Sequence, residues 1–479
     1  MSPGIFLGAT LLAAAGASPA PVIYSVEVGR EPRLRVAIQV PAGSSTCPLT
    51  LVMPRAVPMG YGEQPYDRFV ARLRAFGRNG APFDVKREEG PRWTLCPPGH
   101  ALDRLEYEID LARMEDAVFS ASDASKWREG YVSLLGYSVF AFVEGLESSP
   151  VRLEVKVPDE WLVFSTLAPG VPPGRGKASA SASDFYALAD SQVIGGPRAQ
   201  VRSLHAATPA VFLVLYSEAE AAVDLDLVGR LATEAFEAVV AYFGSTPFAH
   251  YTVQQEYLRP RSDAHRYGLS MEHLDSATFY LAADQALASH PDEAQRSRVL
   301  YNFAHHMAHA WIPKRCYGPG YFPFQWELAP LLDSIWFSEG FAQFAASDAL
   351  AARLAPEEAA VYRDRLVERR FRQSLEEAPA FLRRLSLVEL SYVASTRYGE
   401  DFRTGRTVFA RGGLMAAEMD REIRRATGGR RSLRDALRAL VSWSAREKRA
   451  FEIADLPERF REGTGVDVRA IYDRWLAPR

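Results

Sequence analysis

Apolar and polar positions alternate in short runs between about residues 22 and 160, which is the two-residue period of a half-buried β-strand. Examples are VIYSVEV, LRVAIQV, LEYEIDL and VRLEVKV, and turns that contain Pro, Gly or Ser separate them. The pattern predicts a β-sandwich-like N-terminal domain over residues 21–200. Within it, residues 169–184 (PGVPPGRGKASASASD) have the composition of a flexible loop. The segments VRSLHAA and AVFLVLYS then predict two further strands.

The period changes near residue 225, where LDLVGRLATEAFEAVVAYFG has its apolar residues at helical spacing. The same spacing predicts further helices over 296–311, 331–352, 356–375, 407–426 and 432–442. Two segments between them, YTVQQEYL and GLSMEHLDSATFYL, have the character of strands. The chain is therefore predicted to be multidomain α+β, with an α+β catalytic-type domain over 201–350 and a helical subdomain over 351–479.

Composition narrows the setting of the protein. The 479 residues are 48% hydrophobic and 24% charged with a formal net charge of −3, which argues against nucleic acid as the main partner. The apolar run IFLGATLLAAAGA at residues 5–17 is too short to span a bilayer. It predicts a cleaved signal peptide over 1–20 and an exported, periplasmic or secreted protein, although the preceding MSPG lacks Lys and Arg. A frayed apolar N-terminus is the alternative.

Three cysteines are too few to imply a disulfide framework. Cys47 and Cys96 both fall in the β-like region and could form one bridge in an oxidising compartment. The sequence supports a bridge between these two cysteines and two free thiols equally well. Cys316 has no evident mate.

The segment NFAHHMAHAW carries candidate metal chemistry. On a helix, His305 and His309 lie one turn apart on one face, which is the spacing of H-E-x-x-H, with His306 in the slot of the glutamate. Glu339, in IWFSEGFAQF on the next apolar helix, is a third candidate ligand, and two histidines with a glutamate form a known zinc set. The spacing alone also arises by chance, so ordinary helix packing remains an alternative.

Several further segments occur in a fixed order around these residues. They are SDFYALADSQVIGG, AYFGSTPFAHY, GLSMEHLDS, AHHMAHAWIPKR, WFSEGFAQF and FARGGLMAAEMDREIRRATGGRRSLRDAL. Together they resemble the glycyl aminopeptidase family of zinc metallopeptidases, which has a thermolysin-like gluzincin catalytic domain behind an N-terminal β domain. The resemblance implies zinc at His305, His309 and Glu339. The PDZ domain that this family often carries at its C-terminus is expected to be lacking here.

The chain departs from the family at two places that handle protons. His306 stands where the family has its general-base glutamate, and a general base contributes roughly 10²–10⁴-fold to the rate. Phe409, three residues before Gly412, stands where related enzymes have a tyrosine that donates to the oxyanion. Loss of one such donor typically costs about 2.7–4 kcal/mol.

Other polar residues near these motifs have more than one interpretation. Glu272 occupies the place where the family holds the α-amine of the substrate, and a solvent-facing strand residue is the equal alternative. His273 and Asp275 are interpreted as ordinary polar strand positions. Lys314 and Arg315 are interpreted as a solvated turn.

The prediction is a catalytically weak or inactive peptidase homologue that binds zinc and a peptide or protein N-terminus. The alternative is an active zinc aminopeptidase in which His306 is the base and Tyr398 or Tyr317 supplies the missing hydroxyl. A third hypothesis makes His306 a fourth ligand and the zinc site structural. The sequence specifies no oligomeric state.

Overall fold

The computed structural model describes residues 20–168, 173–220, 222–261, 265–287 and 290–478. The predicted signal peptide, except for Ala20, lies outside the described residues. Among the described residues, no helix combines the length and the apolar character that crossing a bilayer requires.

The N-terminal part of the described chain consists of sheets joined by short helices. Its strands are β1 (Val22–Val28), β2 (Arg33–Gln39), β3 (Thr50–Val52), β4 (Val70–Gly77), β5 (Pro82–Phe83), β6 (Lys86–Arg87), β7 (Arg92–Thr94), β8 (Leu102–Asp110), β9 (Lys126–Arg128), β10 (Tyr131–Leu135), β11 (Phe142–Val143), β12 (Val151–Lys156), β13 (Leu162–Ser165), β14 (Gly174–Arg175), β15 (Lys177–Ala182) and β16 (Gln192–Gly196). Its α-helices are α1 (Leu111–Ala117), α2 (Gly136–Val139) and α3 (Phe185–Ala189).

These strands form three sheets over the described residues. Their orders are β15-β12-β1-β2-β8-β4-β5, β14-β13-β16-β10-β9 and β11-β3-β7-β6. One hydrophobic core lies between the sheets and takes residues from all of them. In β1, Val22, Tyr24, Val26 and Val28 face this core, which is the two-residue alternation seen in the sequence. The predicted β-rich N-terminal domain is confirmed.

The prediction of a flexible loop over residues 169–184 is wrong for one part of that segment. Residues Lys177–Ala182 (KASASA) form strand β15, which pairs antiparallel with β12 along its whole length. Ala180 and Ala182 are buried while Ser179 and Ser181 are exposed. The segment therefore has the burial alternation of an ordinary strand, which its small residues did not make visible as an apolar–polar pattern. Residues 169–172 of that loop lie outside the described residues.

The second part of the chain begins with another sheet. Its strands are β17 (Gln200–His205), β18 (Ala210–Ser217), β19 (His250–Leu258), β20 (Leu269–Glu272) and β21 (Ser276–Ala282), in the order β17-β18-β19-β21-β20. β18, β19 and β21 run parallel, and β17 and β20 are antiparallel edges. Helix α4 (Leu225–Phe243) connects β18 to β19, starting at an Asp224 cap and ending at Gly244 with φ 78°.

Helices follow this sheet to the end of the described chain. They are α5 (Glu293–Ala308), a π-helical turn (Trp336–Phe341) that continues into α6 (Ala342–Ala351), α7 (Pro356–Arg363), a π-helical turn (Asp364–Arg369) that continues into α8 (Arg370–Glu376), α9 (Ala380–Arg384), α10 (Leu387–Arg397), α11 (Phe402–Thr427), α12 (Leu433–Glu447), α13 (Leu456–Thr464) and α14 (Arg469–Leu476). One hydrophobic core runs from the β17–β21 sheet through these helices to Trp475. The boundary near residue 350 therefore stays a prediction.

A disulfide joins Cys47 to Cys96 across a Cα–Cα distance of 5.7 Å. Of the two alternatives that the sequence left open, the bridge is the one present. Cys316 is buried without a disulfide partner among the described residues, and burial raises the pKa of its thiol to about 12.

Candidate metal centre

Helix α5 brings the two candidate histidines to one buried face. Its first turn is fixed by a capping box between Asp292 and Gln295, and it ends at Ala308, with His309 as its C-terminal cap residue. The Nδ1 atom of His309 lies 2.8 Å from the carbonyl oxygen of Ile312, which accepts its N–H. This bond leaves the Nε2 lone pair of His309 free to bind a metal.

Glu339 comes from the π-helical turn Trp336–Phe341, which packs against α11. A Cβ atom at the next residue, Gly340, would lie 2.5 Å from the Gly412 backbone, so two glycines allow the helices to touch. This close approach places Glu339 opposite α5, where its side chain is buried. The W-x-x-E-G segment thus supplies both the carboxylate and the contact that positions it.

Three ligand atoms converge between these elements. His305 Nε2 lies 3.3 Å from His309 Nε2, and each lies 3.6 Å from Glu339 Oε2. Tetrahedral ligand atoms about 2.0–2.2 Å from one Zn²⁺ would be about 3.3–3.6 Å apart. The donor set therefore fits zinc in both chemistry and spacing. We call His305, His309 and Glu339 the metal cluster.

The electrostatics of the metal cluster favour a bound cation. Burial raises the pKa of Glu339 to about 7, against the opposing charge of His309. Burial also lowers the pKa of His305 well below its usual value. Both shifts mean that burial disfavours the charged form of the side chain, which is the carboxylate of Glu339 and the imidazolium of His305. A dication between the three side chains would stabilise the carboxylate and use the neutral imidazole lone pairs.

His306 lies beside the metal cluster and is not part of it. Its Nδ1 atom is 2.9 Å from the carbonyl oxygen of Asn302, one turn earlier on α5, and its ring contacts Phe279. Burial lowers the pKa of His306 to about 4. The group of side chains that could hold a metal contains His305, His309 and Glu339. This arrangement gives no support to His306 as a fourth ligand.

Residues 24–196 match the Peptidase M61 N-terminal domain. Over the whole chain, the fold is similar to that of several solved structures. An aminopeptidase N family protein from Idiomarina loihiensis aligns with a TM-score of 0.81 at 18% identity, over 96% of this chain and 76% of that one. An M1 zinc metallopeptidase from Deinococcus radiodurans, a mutant bound to a Tyr-Ser-Ala substrate, aligns with a TM-score of 0.53 at 16% identity, over 96% and 94%.

Yeast LTA4 hydrolase aligns with a TM-score of 0.56 at 11% identity, over 96% of this chain and 68% of that one. Among curated proteins no sequence matches. At these identities the structural likeness shows the fold alone. The chain thus has an N-terminal segment similar to the Peptidase M61 N-terminal domain, and it shares the α+β and helical fold of these solved structures.

Glu272 ends edge strand β20, close to the metal cluster. It is buried, so the interpretation as a solvent-facing residue is wrong. Burial raises the pKa of Glu272, but the charges of His309, Lys314 and His306 outweigh it and leave the pKa lowered. The neighbouring His273 is buried as well, with its Nδ1 atom 3.4 Å from Asp190.

Lys314 and Arg315 do not form the solvated turn that was predicted. Lys314 is 4% exposed, and its Nζ donates to the carbonyl oxygen of Pro58 at 2.9 Å and lies 3.8 Å from Asp190. Arg315 is partly buried and donates to the Asp275 carboxylate at 2.6 Å. These basic residues thus join the segment after helix α5 to its surroundings, which no local pattern indicated.

Phe409 lies on the buried side of α11, next to an aromatic group. Its ring centroid is 5.9 Å from that of Tyr398, which in turn is 5.5 Å from that of Tyr61. Tyr317 packs against Phe322 instead, at 5.0 Å. Of the two tyrosines suggested as substitutes for the missing hydroxyl, the structure places Tyr398 beside Phe409.

Tyr61, from the M61-type N-terminal domain, is a site residue that sequence reasoning missed. Its hydroxyl donates to Glu339 Oε1 at 3.0 Å, across a sequence separation of 278 residues. No local motif connects two such distant positions. The one available signal was the Pro- and Gly-rich segment MPRAVPMGYG, which indicates a shaped loop but not its target.

Proposed function

We propose that this protein holds zinc at His305, His309 and Glu339 and binds a peptide or protein N-terminus beside it, with weak or no peptidase activity. The observation that carries the proposal is an intact and correctly spaced metal cluster next to a general-base slot filled by His306. When bound, zinc supplies a Lewis acid for a carbonyl or water oxygen.

The general-base slot is poorly suited to proton removal. One ring nitrogen of His306 is engaged with a carbonyl of its own helix, and the neutral ring adds no negative charge near the metal. In the oxyanion slot, Phe409 offers a ring without a hydroxyl donor. Two proton-handling groups are therefore changed while all three ligands remain.

Glu272 supports recognition of a peptide amine. Burial opposes ionisation of its carboxyl group, but the charges of His309 and Lys314 leave the pKa of Glu272 below its usual value. An ionised carboxylate close to the metal cluster can pair with the α-ammonium group of a peptide. The neighbour from Deinococcus radiodurans, which binds Tyr-Ser-Ala, shows that this fold can hold a short peptide.

An exported location is part of the proposal. The bridge between Cys47 and Cys96 supports it, because disulfides persist mainly in oxidising compartments. The apolar run at residues 5–17 supplies the export signal in this account.

The proposal is tested by metal analysis and an aminopeptidase assay on the wild type and on the double variant His306→Glu/Phe409→Tyr. We expect one zinc per chain in both proteins and turnover of amino-acyl chromogenic substrates in the double variant alone. Each single variant serves as a control, since either group alone restores only part of the machinery. Ordinary peptidase rates in the wild type would refute the proposal.

A second candidate is an active aminopeptidase with His306 as its base. The position of Tyr398 beside Phe409 favours it, because a hydroxyl is available in that group. This candidate requires wild-type turnover that His306→Ala abolishes and Tyr398→Phe strongly reduces. Wild-type turnover that survives both changes excludes it.

A further inference from the structure

A loop of the N-terminal domain leaves its own sheet and docks on the helical part of the molecule. It comprises residues 53–65 (MPRAVPMGYGEQP), between β3 and the short helical turn Tyr66–Phe69, and we call it the docking loop. The backbone N–H of Ala56 donates to Trp326 O at 3.0 Å, and that of Gly62 donates to Ser395 O at 3.0 Å. Both acceptors belong to the chain beyond the β17–β21 sheet.

The tip of the docking loop is held in an unusual backbone conformation. Met59 has φ 53°, in the left-handed region that non-glycine residues rarely adopt, and its side chain is fully buried in the core of the helical part. At Gly60, a Cβ atom would lie 2.9 Å from Val57. A strained conformation persists when its surroundings fix it, so the loop has one docked shape.

Lys314 ties the docking loop to the end of the zinc helix. It follows His309 by five residues, and its ammonium group donates to Pro58 O at 2.9 Å. The side chain is buried, so water does not compete for this bond. The position of the loop is thus set from the same segment that carries the histidine ligands.

Tyr61 completes the connection at the metal cluster. Its hydroxyl donates to Glu339 Oε1 at 3.0 Å, whereas Glu339 Oε2 faces both histidine Nε2 atoms at 3.6 Å. One carboxylate oxygen is therefore held by the docking loop and the other is directed at the metal position. Burial keeps the pKa of Tyr61 well above its usual value, so the hydroxyl remains a donor.

From these contacts we infer that Tyr61 is a positioning residue for the metal ligand Glu339, and that docking of the loop sets the metal affinity of the site. The inference rests on the proposed zinc site. Outer-shell partners of metal ligands fix ligand orientation, and their loss typically lowers metal affinity about 10–100-fold.

The test compares the wild type, Tyr61→Phe and Tyr66→Phe as full chains. Tyr66 is a matched control, because its buried hydroxyl donates to Asp123 O at 2.5 Å in the same domain, away from the metal cluster. Zinc affinity is measured by competition with a chelating dye, and ligand geometry by the visible absorption of the Co²⁺ form. Thermal unfolding of each apo-protein reports on folding.

We expect Tyr61→Phe to bind zinc about 10–100-fold more weakly than the wild type and to shift the Co²⁺ spectrum, with Tyr66→Phe like the wild type in both. Equal affinity and an unchanged spectrum in Tyr61→Phe would overturn the inference and leave the zinc site standing. Equal losses in both variants would overturn it as well, since they would indicate general loosening of the domain. A wild type without zinc would overturn the site and the inference together.

Discussion

Two buried groups of titratable side chains lie in different parts of the molecule and are built in opposite ways. In the metal cluster, the Nε2 atoms of His305 and His309 and Oε2 of Glu339 lie 3.3–3.6 Å from one another. In the other, which we call the ion-pair cluster, the Lys126 ammonium lies 3.5 Å from Glu256, and both side chains are fully buried. The first group has the side chains to hold a metal ion, and the second pairs its carboxylate with an ammonium group.

The ion-pair cluster joins the N-terminal domain to the β17–β21 sheet. Glu256 Oε1 accepts hydrogen bonds from Tyr131 at 2.9 Å and from Gln254 at 2.8 Å. The Lys126 ammonium also lies 4.0 Å from the centre of the Tyr280 ring. Burial is therefore common to both clusters; what distinguishes the metal cluster is that its ligand-type atoms converge on one point, whereas the carboxylate of the ion-pair cluster faces an ammonium group.

The largest effect is expected from breaking the ion-pair cluster. Lys126→Met should lower the free energy of unfolding by about 3–5 kcal/mol, because it leaves the Glu256 carboxylate buried without its counter-charge. Urea denaturation measures this. The double variant Lys126→Met/Glu256→Gln should recover much of the loss. Zinc affinity should stay at the wild-type value in the folded fraction, and its loss would contradict the separation of the two clusters.

Removing the acid of the metal cluster should have the opposite pair of effects, with zinc binding weakened and the stability of the metal-free protein kept. Glu339→Gln should weaken zinc binding more than the roughly 10–100-fold typical of outer-shell changes, because a charged ligand is lost. The metal-free variant should be at least as stable as the metal-free wild type, because a buried carboxylate with no counter-cation is removed. Chelator competition and denaturation of the apo-proteins test the two statements.

The stability difference at Glu339 should depend on pH. Its pKa in the folded protein is about 7, raised by burial from 4.5. The group therefore favours folding only while protonated, and that contribution disappears as the pH rises from about 4.5 to about 7. The stability advantage of metal-free Glu339→Gln over the wild type should grow across this window by about 1–3 kcal/mol. With zinc bound, we expect the stability advantage of Glu339→Gln to vanish. If the stability difference between the two metal-free proteins does not change with pH, the raised pKa of Glu339 is refuted.

The smallest effect is expected at His306. His306→Ala should leave the zinc stoichiometry unchanged and alter zinc affinity by less than about threefold, because its ring nitrogen bonds to Asn302 rather than to the metal cluster. The same competition assay measures it, with His309→Ala as the control that should lose zinc. A large loss in His306→Ala would revive the hypothesis of a fourth ligand.

Local pattern predicted most elements, whereas the metal cluster also required the resemblance carried by several motifs in a fixed order. Helix geometry places His305 and His309 on one face, and Glu339 was predicted from the W-x-x-E-G segment of the resemblance. The strand Lys177–Ala182 was missed because Ala and Ser differ little in polarity, so a real alternation looked like a flexible tract.

Long-range contacts account for what the sequence did not reveal. The residues around Lys314 have the composition of a surface turn. Its ammonium group is nevertheless buried, and it donates to the carbonyl oxygen of Pro58, 256 residues away along the chain. The role of Tyr61 likewise rests on a hydrogen bond to a distant residue, Glu339. Such pairs are created when separate parts of the chain dock, and no periodicity within either segment encodes them.

The disulfide has a consequence for the metal centre as well as for the N-terminal domain. The docking loop lies within the ring that Cys47 and Cys96 close, and the bond spans 49 residues. Closing such a ring stabilises the native chain by roughly 4 kcal/mol through the entropy of the unfolded state. Replacing both cysteines with serine should therefore let the docking loop undock more often and weaken the support that Tyr61 gives to Glu339. Metal retention would then depend on a covalent bond between two sulfur atoms that lie outside the metal cluster.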